Sequence, residues 1–327
     1  MTRPVPAVDM TEPDPALQAA LQRALLQLRE VIGARPVSIF IDPLLGDPLA
    51  AHPDTVQCLA SGAAVVQSLP RIHADIDAAR APYLIHAPSE PAAERLINAS
   101  VDIALREATN RMPNGYRGRC VCAWLPDDTA PQATAARLAR SAAVIAPHGR
   151  AHPFRYWDPR VRWHLPRVLP PGHWQRLRSR LGNWHNITPM GQLEGLPGSS
   201  EAAASDETQD QRLRFDDAAW GRLKDVTLCN KVLALCPQWG IALSNSLPPL
   251  VEQAINDCRS HGFDTEQDIL VYCACALTAH PRFDRHPAVS AALKEARTMG
   301  ASLQHALQGF DNSFWQQLSA SRQSQNP

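Results

Sequence analysis

The sequence predicts an α/β (α+β) N-terminal lobe, a mixed sheet flanked by helices, followed by a smaller all-α C-terminal lobe. Three observations carry that reading. Short β-rich runs alternate with helical apolar periodicity as far as residue 195. A small, polar, acidic stretch, LPGSSEAAASDETQDQR at 196–212, then interrupts all periodicity. Every strong signal beyond it is helical. A length of 327 residues also fits two domains at roughly 150 residues each. The expected division is 1–195 for the α/β lobe, 196–212 for a flexible acidic linker and 213–327 for the all-helical lobe.

Each element has its own signal. Asp14-Pro15 reads as N-cap and first turn of a helix. Leu17, Leu21, Leu25, Leu28 and Ile32 repeat along it, and Gly33 closes it. Val37–Ile41 is a strand stopped by Asp42-Pro43. Residues 43–80 are ambiguous, with a helix expected around 54–68. Pro82–Ile85 is a second strand. Ser89 and Pro91 open a long helix with Leu96, Ile97, Val101 and Leu105 on one face. Cys120–Trp124 is a third strand, and a helix covers 131–141. Ala142–Ala146 and Pro153–Trp157 flank Pro147-His148-Gly149-Arg150 as a hairpin. Asp158-Pro159 caps a short helix, Leu165-Pro166 breaks it, and a further helix runs past Trp174 to Gly182.

In the second lobe, helices are expected at 215–228, 247–258, 264–280 and 287–298. Asp264 and Gln267 make a capping box for the third. Its nine consecutive apolar residues, Ile269–Leu277, require burial on nearly all sides. Leu303, Leu307, Phe310, Phe314 and Leu318 form a last amphipathic stripe.

Composition narrows the function classes. Hydrophobic residues are 45% and charged residues 20%, enough for a sizeable core. Basic and acidic side chains number 32 each, which excludes a uniformly basic nucleic-acid coat. No apolar run approaches the roughly 18 residues of a membrane span. The N-terminal MTRPVPAVDMTEPDP has no apolar signal core, so a cytoplasmic location is expected. Eight Cys occur without any CxxC pair or His at zinc-ligand spacing, so reduced, buried thiols are expected and no metal or cofactor.

The usual catalytic signatures are absent: no GxSxG, Walker loop, GxGxxG or HExxH. His73 with Asp75, and Asp284 with His286, are the acid–base pairs a hydrolase could use. Only three of the 32 basic residues are Lys, the other 29 being Arg, a bias that codon usage in a GC-rich genome accounts for. One window nevertheless stands out. Between Arg137 and Arg180 lie ten Arg against one acid, Asp158. Trp157, Trp163, Trp174 and nearby Trp184 are interleaved with them. Such a face suits a protein partner through Arg and Trp anchors. The alternatives are a buried Trp core with a solvated Arg rim, and nucleic-acid binding over 137–185. The neutral overall charge makes the nucleic-acid reading the weaker.

Inside that window sits Phe154-Arg155-Tyr156-Trp157-Asp158-Pro159-Arg160-Val161. Strand alternation would put Phe154 and Tyr156 on one face, Arg155 and Trp157 on the other. Asp158 can also orient Arg155 or Arg160. This stretch resembles the F-R-[FY]-[YFW]-D-P-R-V motif of the type VI secretion effector adaptors, the family built on domain of unknown function 4123. Val37–Pro43 is similar to that family's opening strand, Ala81–Leu84 to its "APYLV", and His261–Asp268 to a segment of its helical lobe. Asp42-Pro43 departs from the family's small residues, and 43–80 has no counterpart in its pattern. The resemblance implies a non-catalytic adaptor that binds a cognate type VI effector and loads it onto a VgrG-type spike protein. Carried over onto matching or adjoining positions, the partner-binding residues are Arg155, Tyr156, Trp157, Asp158, Arg160, Arg162 and Trp163. No membrane partner is implied.

Overall fold

The computed structural model describes residues 14–70, 72–74, 76–88, 90–112, 118–126, 128–198 and 212–323. Of the expected linker 196–212, residues 199–211 lie outside these. The chain divides into two compact units, Met1–Arg222 and Leu223–Pro327.

The first unit opens with α1 (Pro15–Ile32). Asp14 caps it, accepting from the Ala16 N–H at 2.8 Å, and Gly33 ends it at φ +58°. Then follow β1 (Val37–Ile41), α2 (Pro53–Ala60), β2 (Val65–Ser68), β3 (Tyr83–Ala87), α3 (Glu90–Ala108), β4 (Val121–Pro126) and α4 (Pro131–Ala139). A hairpin of β5 (Ala143–Ile145) and β6 (Ala151–Pro153) turns at Gly149, φ +81°. The short α5 (Pro159–Arg162) and α6 (Leu165–Val168) lead into α7 (Pro171–Leu181). Finally β7 (Trp184–Ile187) pairs with β8 (Leu193–Leu196).

Six strands form one sheet in the order β2-β3-β1-β4-β7-β8, and β5-β6 stand apart. Every ladder is antiparallel, which corrects the expected mixed pairing. The reason is the place of β1. Helix α3 carries the chain from β3 to β4, and those two strands do run the same way. They are not neighbours, because β1 lies between them and pairs antiparallel with both. Helix–strand alternation thus signalled a crossover correctly, but the crossover is split.

The 43–80 region also differs from expectation. The helix stops at Ala60, and Val65–Ser68 is a strand. Strands β7 and β8 went unpredicted. Trp184-His185-Asn186-Ile187 mixes polar and apolar residues without a β-branched run, so only its pairing and full burial make it a strand. Leu165-Pro166 starts α6 instead of ending a helix, with Pro tolerated in its first turn.

β1 is buried on both faces. On one, Ile39 and Ile41 pack with Leu28 of α1 and Leu96, Val101 and Leu105 of α3. Trp124 belongs to this side, its indole N–H donating to Ser100 Oγ at 2.8 Å. On the other, Phe40 meets Trp157 and Trp184, each at 5.7 Å between ring centroids. Tyr156 joins them, 5.2 Å from Trp157 and 6.1 Å from Trp184. An aromatic cluster therefore holds the residues after β6 against the sheet.

The second unit is helical among its described residues. In chain order it contains most of α8 (Asp217–Leu235), then α9 (Leu247–Ser260), α10 (Glu266–Thr278), α11 (Pro287–Met299), α12 (Leu303–Leu307) and α13 (Asn312–Gln323). None of Ile269–Leu277 is exposed, as the apolar run requires. The cap of α10 is Thr265, one residue later than expected, its Oγ1 accepting from the Asp268 N–H at 3.1 Å. Asp268 is buried because it also accepts from the Leu303 N–H at 2.7 Å, tying α12 to α10. The expected last stripe is two helices. Asp311 restarts the chain by accepting from the Phe314 N–H at 2.9 Å. All eight cysteines are free. No helix among the described residues is long and apolar enough to cross a membrane.

Candidate functional site

The FRYWDPRV stretch is not a strand beyond Pro153. The Phe154 N–H still donates to Ala142 O at 2.8 Å, but the Asp158 N–H then turns back to Arg155 O at 3.2 Å. A turn here frees four side chains from strict alternation. They do not divide into the two faces that strand alternation would give, since the Tyr156 and Trp157 rings meet at 5.2 Å. Phe154 and Tyr156 lie ring to ring at 5.9 Å, while Arg155 and Trp157 converge on one acceptor.

That acceptor is Asp42, the residue that ends β1. Its Oδ1 accepts from the Leu44 N–H at 3.1 Å and begins a single 3₁₀ turn over Pro43–Leu45. Its Oδ2 accepts from Arg155 Nε at 3.0 Å, Arg155 Nη2 at 2.6 Å and Trp157 Nε1 at 2.5 Å. The carboxylate is only 3% exposed, so these donors replace its water.

Asp158 forms a second node. It caps α5 by accepting from the Arg160 N–H at 2.9 Å, and it binds the Arg160 guanidinium through Nε at 3.0 Å and Nη2 at 2.7 Å. Burial pushes its carboxyl up, yet the bonds and charge of Arg160, with Arg155, overcome this and hold it below the ordinary value. Arg155 Nη2 lies 3.7 Å from Asp158, so Asp42, Arg155, Asp158 and Arg160 alternate in sign along one line. Burial works against the charge of Arg155 and Arg160, and their carboxylates raise both above the ordinary value.

The seven expected contact residues divide by exposure. Tyr156, Trp157, Asp158 and Arg162 are buried, and Trp163 is half-buried. Tyr156 donates its hydroxyl to Leu138 O at 2.9 Å. Arg162 donates to Asn186 Oδ1 at 2.8 Å and lies over the Trp184 ring at 5.6 Å. Burial pulls its guanidinium down to about 10, with Glu194 opposing. Trp163 packs between His164 and the Arg167 guanidinium. Arg155 and Arg160 keep about a third of their side chains in solvent, 30% and 29%.

Asp42, Arg155 and Trp157 together line a cleft of about 350 Å³. Leu44, Ile76, Pro82 and Pro153 give it an apolar lining, and Asp77 and Arg80 add charge. The Arg80 side chain is exposed. Sequence reasoning read Asp42 only as a strand stop, and it missed Arg80 because nothing local marks either.

The wider Arg window is less open than its count suggests. Arg155, Arg160 and Arg162 are engaged as described, and Arg137 donates to Arg180 O at 2.7 Å. Arg140, Arg150 and Arg176 are exposed. Trp157 and Trp184 are buried, so they offer no stacking surface.

Of the two acid–base pairs, only Asp284 with His286 lies wholly within the described residues, and it does not form. Asp75 lies outside the described residues, and His73 Nε2 donates to Ala151 O at 3.1 Å. Asp284 accepts from His261 Nε2 at 2.8 Å and not from His286, whose ring packs edge-on to Phe314. Within each unit taken alone, the described residues hold no cluster of three His, Cys, Asp or Glu ligand atoms. No family model matches the chain, and neither curated proteins nor solved structures include a match to it.

Proposed function

We propose that this protein is a non-catalytic adaptor of the type VI secretion kind, acting in the bacterial cytoplasm. It holds a segment of a cognate toxic effector and helps to load it onto a VgrG-type spike protein. The family part of this reading rests on the FRYWDPRV stretch. The observation that supports a binding role is the cleft beside it. A volume of about 350 Å³ is at the small end of ligand sites, suited to one or two side chains of a partner segment. Apolar walls would accept an aliphatic or aromatic anchor, and Arg155 and Arg80 would set its polar end. Tyr156, Asp158 and Arg162 would then support the site from behind instead of touching the partner, and Trp157 would do both.

The test is an affinity purification from the native bacterium at moderate salt, with mass spectrometry of what is retained. A spike protein and one toxin are expected, with the toxin lost from Arg80→Glu and Leu44→Asp variants that remain folded. Recovery of nuclease-sensitive material alone would replace this reading with nucleic-acid binding. A toxin retained equally by both variants would move the contact away from the cleft.

A further inference from the structure

The cleft beside the FRYWDPRV stretch has donors to spare and few free acceptors. Asp42 is filled. Its Oδ1 accepts from the Leu44 N–H, and its Oδ2 accepts from Arg155 Nε, Arg155 Nη2 and Trp157 Nε1. The Trp157 indole N–H is thereby used as well. Arg155 keeps its Nη1 outside that bond and 30% of its side chain in solvent. Arg80, exposed at the end of the 3₁₀ turn Ala78–Arg80, adds a second guanidinium to the lining. Asp77 adds a carboxylate, one oxygen of which caps that turn by accepting from the Ala79 N–H at 3.0 Å.

Apolar surface lines the same cleft, from Leu44, Ile76, Pro82, Pro153 and the Trp157 ring. A fitting occupant joins a negatively charged acceptor to an apolar group over a short distance. A volume of about 350 Å³ is a space about 7 Å across. Neighbouring side chains of an extended segment point to opposite faces, and those sharing a face stand about 6.6 Å apart. An acidic and an apolar side chain from the interior of such a segment therefore do not both enter. The last residue of a polypeptide carries its carboxylate and its side chain on one Cα. It also brings one backbone N–H, from which the free oxygen of Asp77 can accept.

We propose that the cleft receives the C-terminal residue of the partner chain, an apolar residue such as Leu whose free carboxylate meets Arg80 and Arg155. This assignment rests on the reading of the cleft as the partner's site, and it names the end of the partner that enters. Charge complements it, because Asp42 already spends its charge on Arg155 while the guanidinium of Arg80 stands exposed. Preorganisation complements it too. Asp42 holds the Arg155 fork in place through two nitrogens, so the side chain has little freedom left to lose on meeting a carboxylate. Leu44 and the Trp157 ring then face the apolar side chain.

The experiment titrates the full chain by calorimetry with acetyl-Ala-Leu, acetyl-Ala-Leu-amide, acetyl-Ala-Glu-amide and isocaproate. Acetyl-Ala-Leu is expected to bind at least about tenfold tighter than the other three, the scale of one charge-assisted hydrogen bond. Arg80→Gln weakens it about tenfold, and Arg140→Gln, at an exposed position outside the cleft, leaves it unchanged. Equal binding of the peptide and its amide overturns the proposal, as does no binding at about 5 mM peptide. Acetyl-Ala-Glu-amide binding as tightly as acetyl-Ala-Leu assigns the cleft to an internal acid, and isocaproate doing so assigns it to a small free acid; either overturns the terminal residue. A second arm separates this from the adaptor reading. A co-purifying toxin retained equally after a Gly-Ser extension of its C-terminus leaves that reading standing and overturns this one. If no toxin co-purifies, the adaptor reading falls and the peptides alone decide what the cleft takes.

Discussion

Arg155 grips Asp42 with two nitrogens, at 3.0 and 2.6 Å, across 113 positions of chain. The bond joins the end of the central strand to the turn that follows the small hairpin. It also sets the wall of the cleft, since the same carboxylate holds the Trp157 indole.

Removing either partner should therefore cost stability as well as shape. Asp42→Ala strands the Arg155 fork and the Trp157 N–H in a mostly dry place, at about 2–4 kcal/mol. Arg155→Ala costs less, about 1–2 kcal/mol, because its side chain is partly in solvent and Asp42 keeps other donors. Arg155→Lys does not restore the loss, since an ammonium cannot match the fork. Urea denaturation of both single variants and the double variant checks this. Simple addition of the two losses would mean the residues are not coupled.

Stability should fall as pH rises from about 4.5 to about 7, on account of Glu107. This carboxylate is buried at the end of α3 and accepts from the Cys120 N–H at 2.8 Å. Burial pushes its carboxyl up to about 7, against an ordinary 4.5, although the two backbone donors and Arg119 pull the other way. The folded state then holds a proton that the unfolded state has lost. Its contribution is full below about 4.5, declines between the two values and is gone above 7. At most about 3 kcal/mol is involved. Melting at pH 5 and pH 8 should show the drop, and Glu107→Gln should flatten it.

Gly182 should resist substitution. It ends α7 at φ +70°, and an added Cβ would lie 2.7 Å from Arg137 Nη1. Gly182→Ala thus strains the backbone and displaces the guanidinium that caps Arg180 O. A loss of about 1–2 kcal/mol is expected. Gly172→Ala, with open space around it and an ordinary φ, serves as the neutral comparison by thermal melting.

The thiols should be silent until the chain unfolds. Burial pushes Cys258 up to about 12 and Cys236 and Cys275 up to about 11, and raises Cys120 and Cys122 well above the ordinary range. A colorimetric thiol reagent at pH 8 should label fewer than about one cysteine in the native protein, and all eight in denaturant. Rapid native labelling of several would show that these sites open.

What the sequence made legible follows from the range of each interaction. Asp14, Gly33, Gly149 and Gly300 act within a few residues, so α1, the turn between β5 and β6 and the end of α11 could be read directly, although the second hairpin strand is Ala151–Pro153 and not Pro153–Trp157. Strand alternation grouped Arg155 with Trp157, and that much was legible, although a shared acceptor and not a strand brings them together. Asp42 as their acceptor was not, because no local pattern reports a partner 113 positions away. The mixed sheet was a reasonable inference from alternating helices and strands. It failed because the order of strands in space is not carried by local periodicity. The Arg and Trp window looked like a surface in one dimension, and packing turned two of its Trp and Arg162 inward.

The split crossover sets a problem of timing for the growing polypeptide. β1 occupies the middle of the sheet yet is synthesised before every other strand. Its five uncharged residues, VSIFI, must wait for β3 on one side and for β4 on the other. Until Pro126 has left the ribosome, that strand has at least one open flank. Distant partners of this kind slow folding and leave apolar side chains and unpaired backbone groups exposed while they are awaited. The amphipathic α1, already complete upstream with Leu28 and Ile32 facing the β1 side, is the natural first cover. Expression at low temperature, or with a holdase present, should accordingly raise the yield of native protein more than any change to the finished surface.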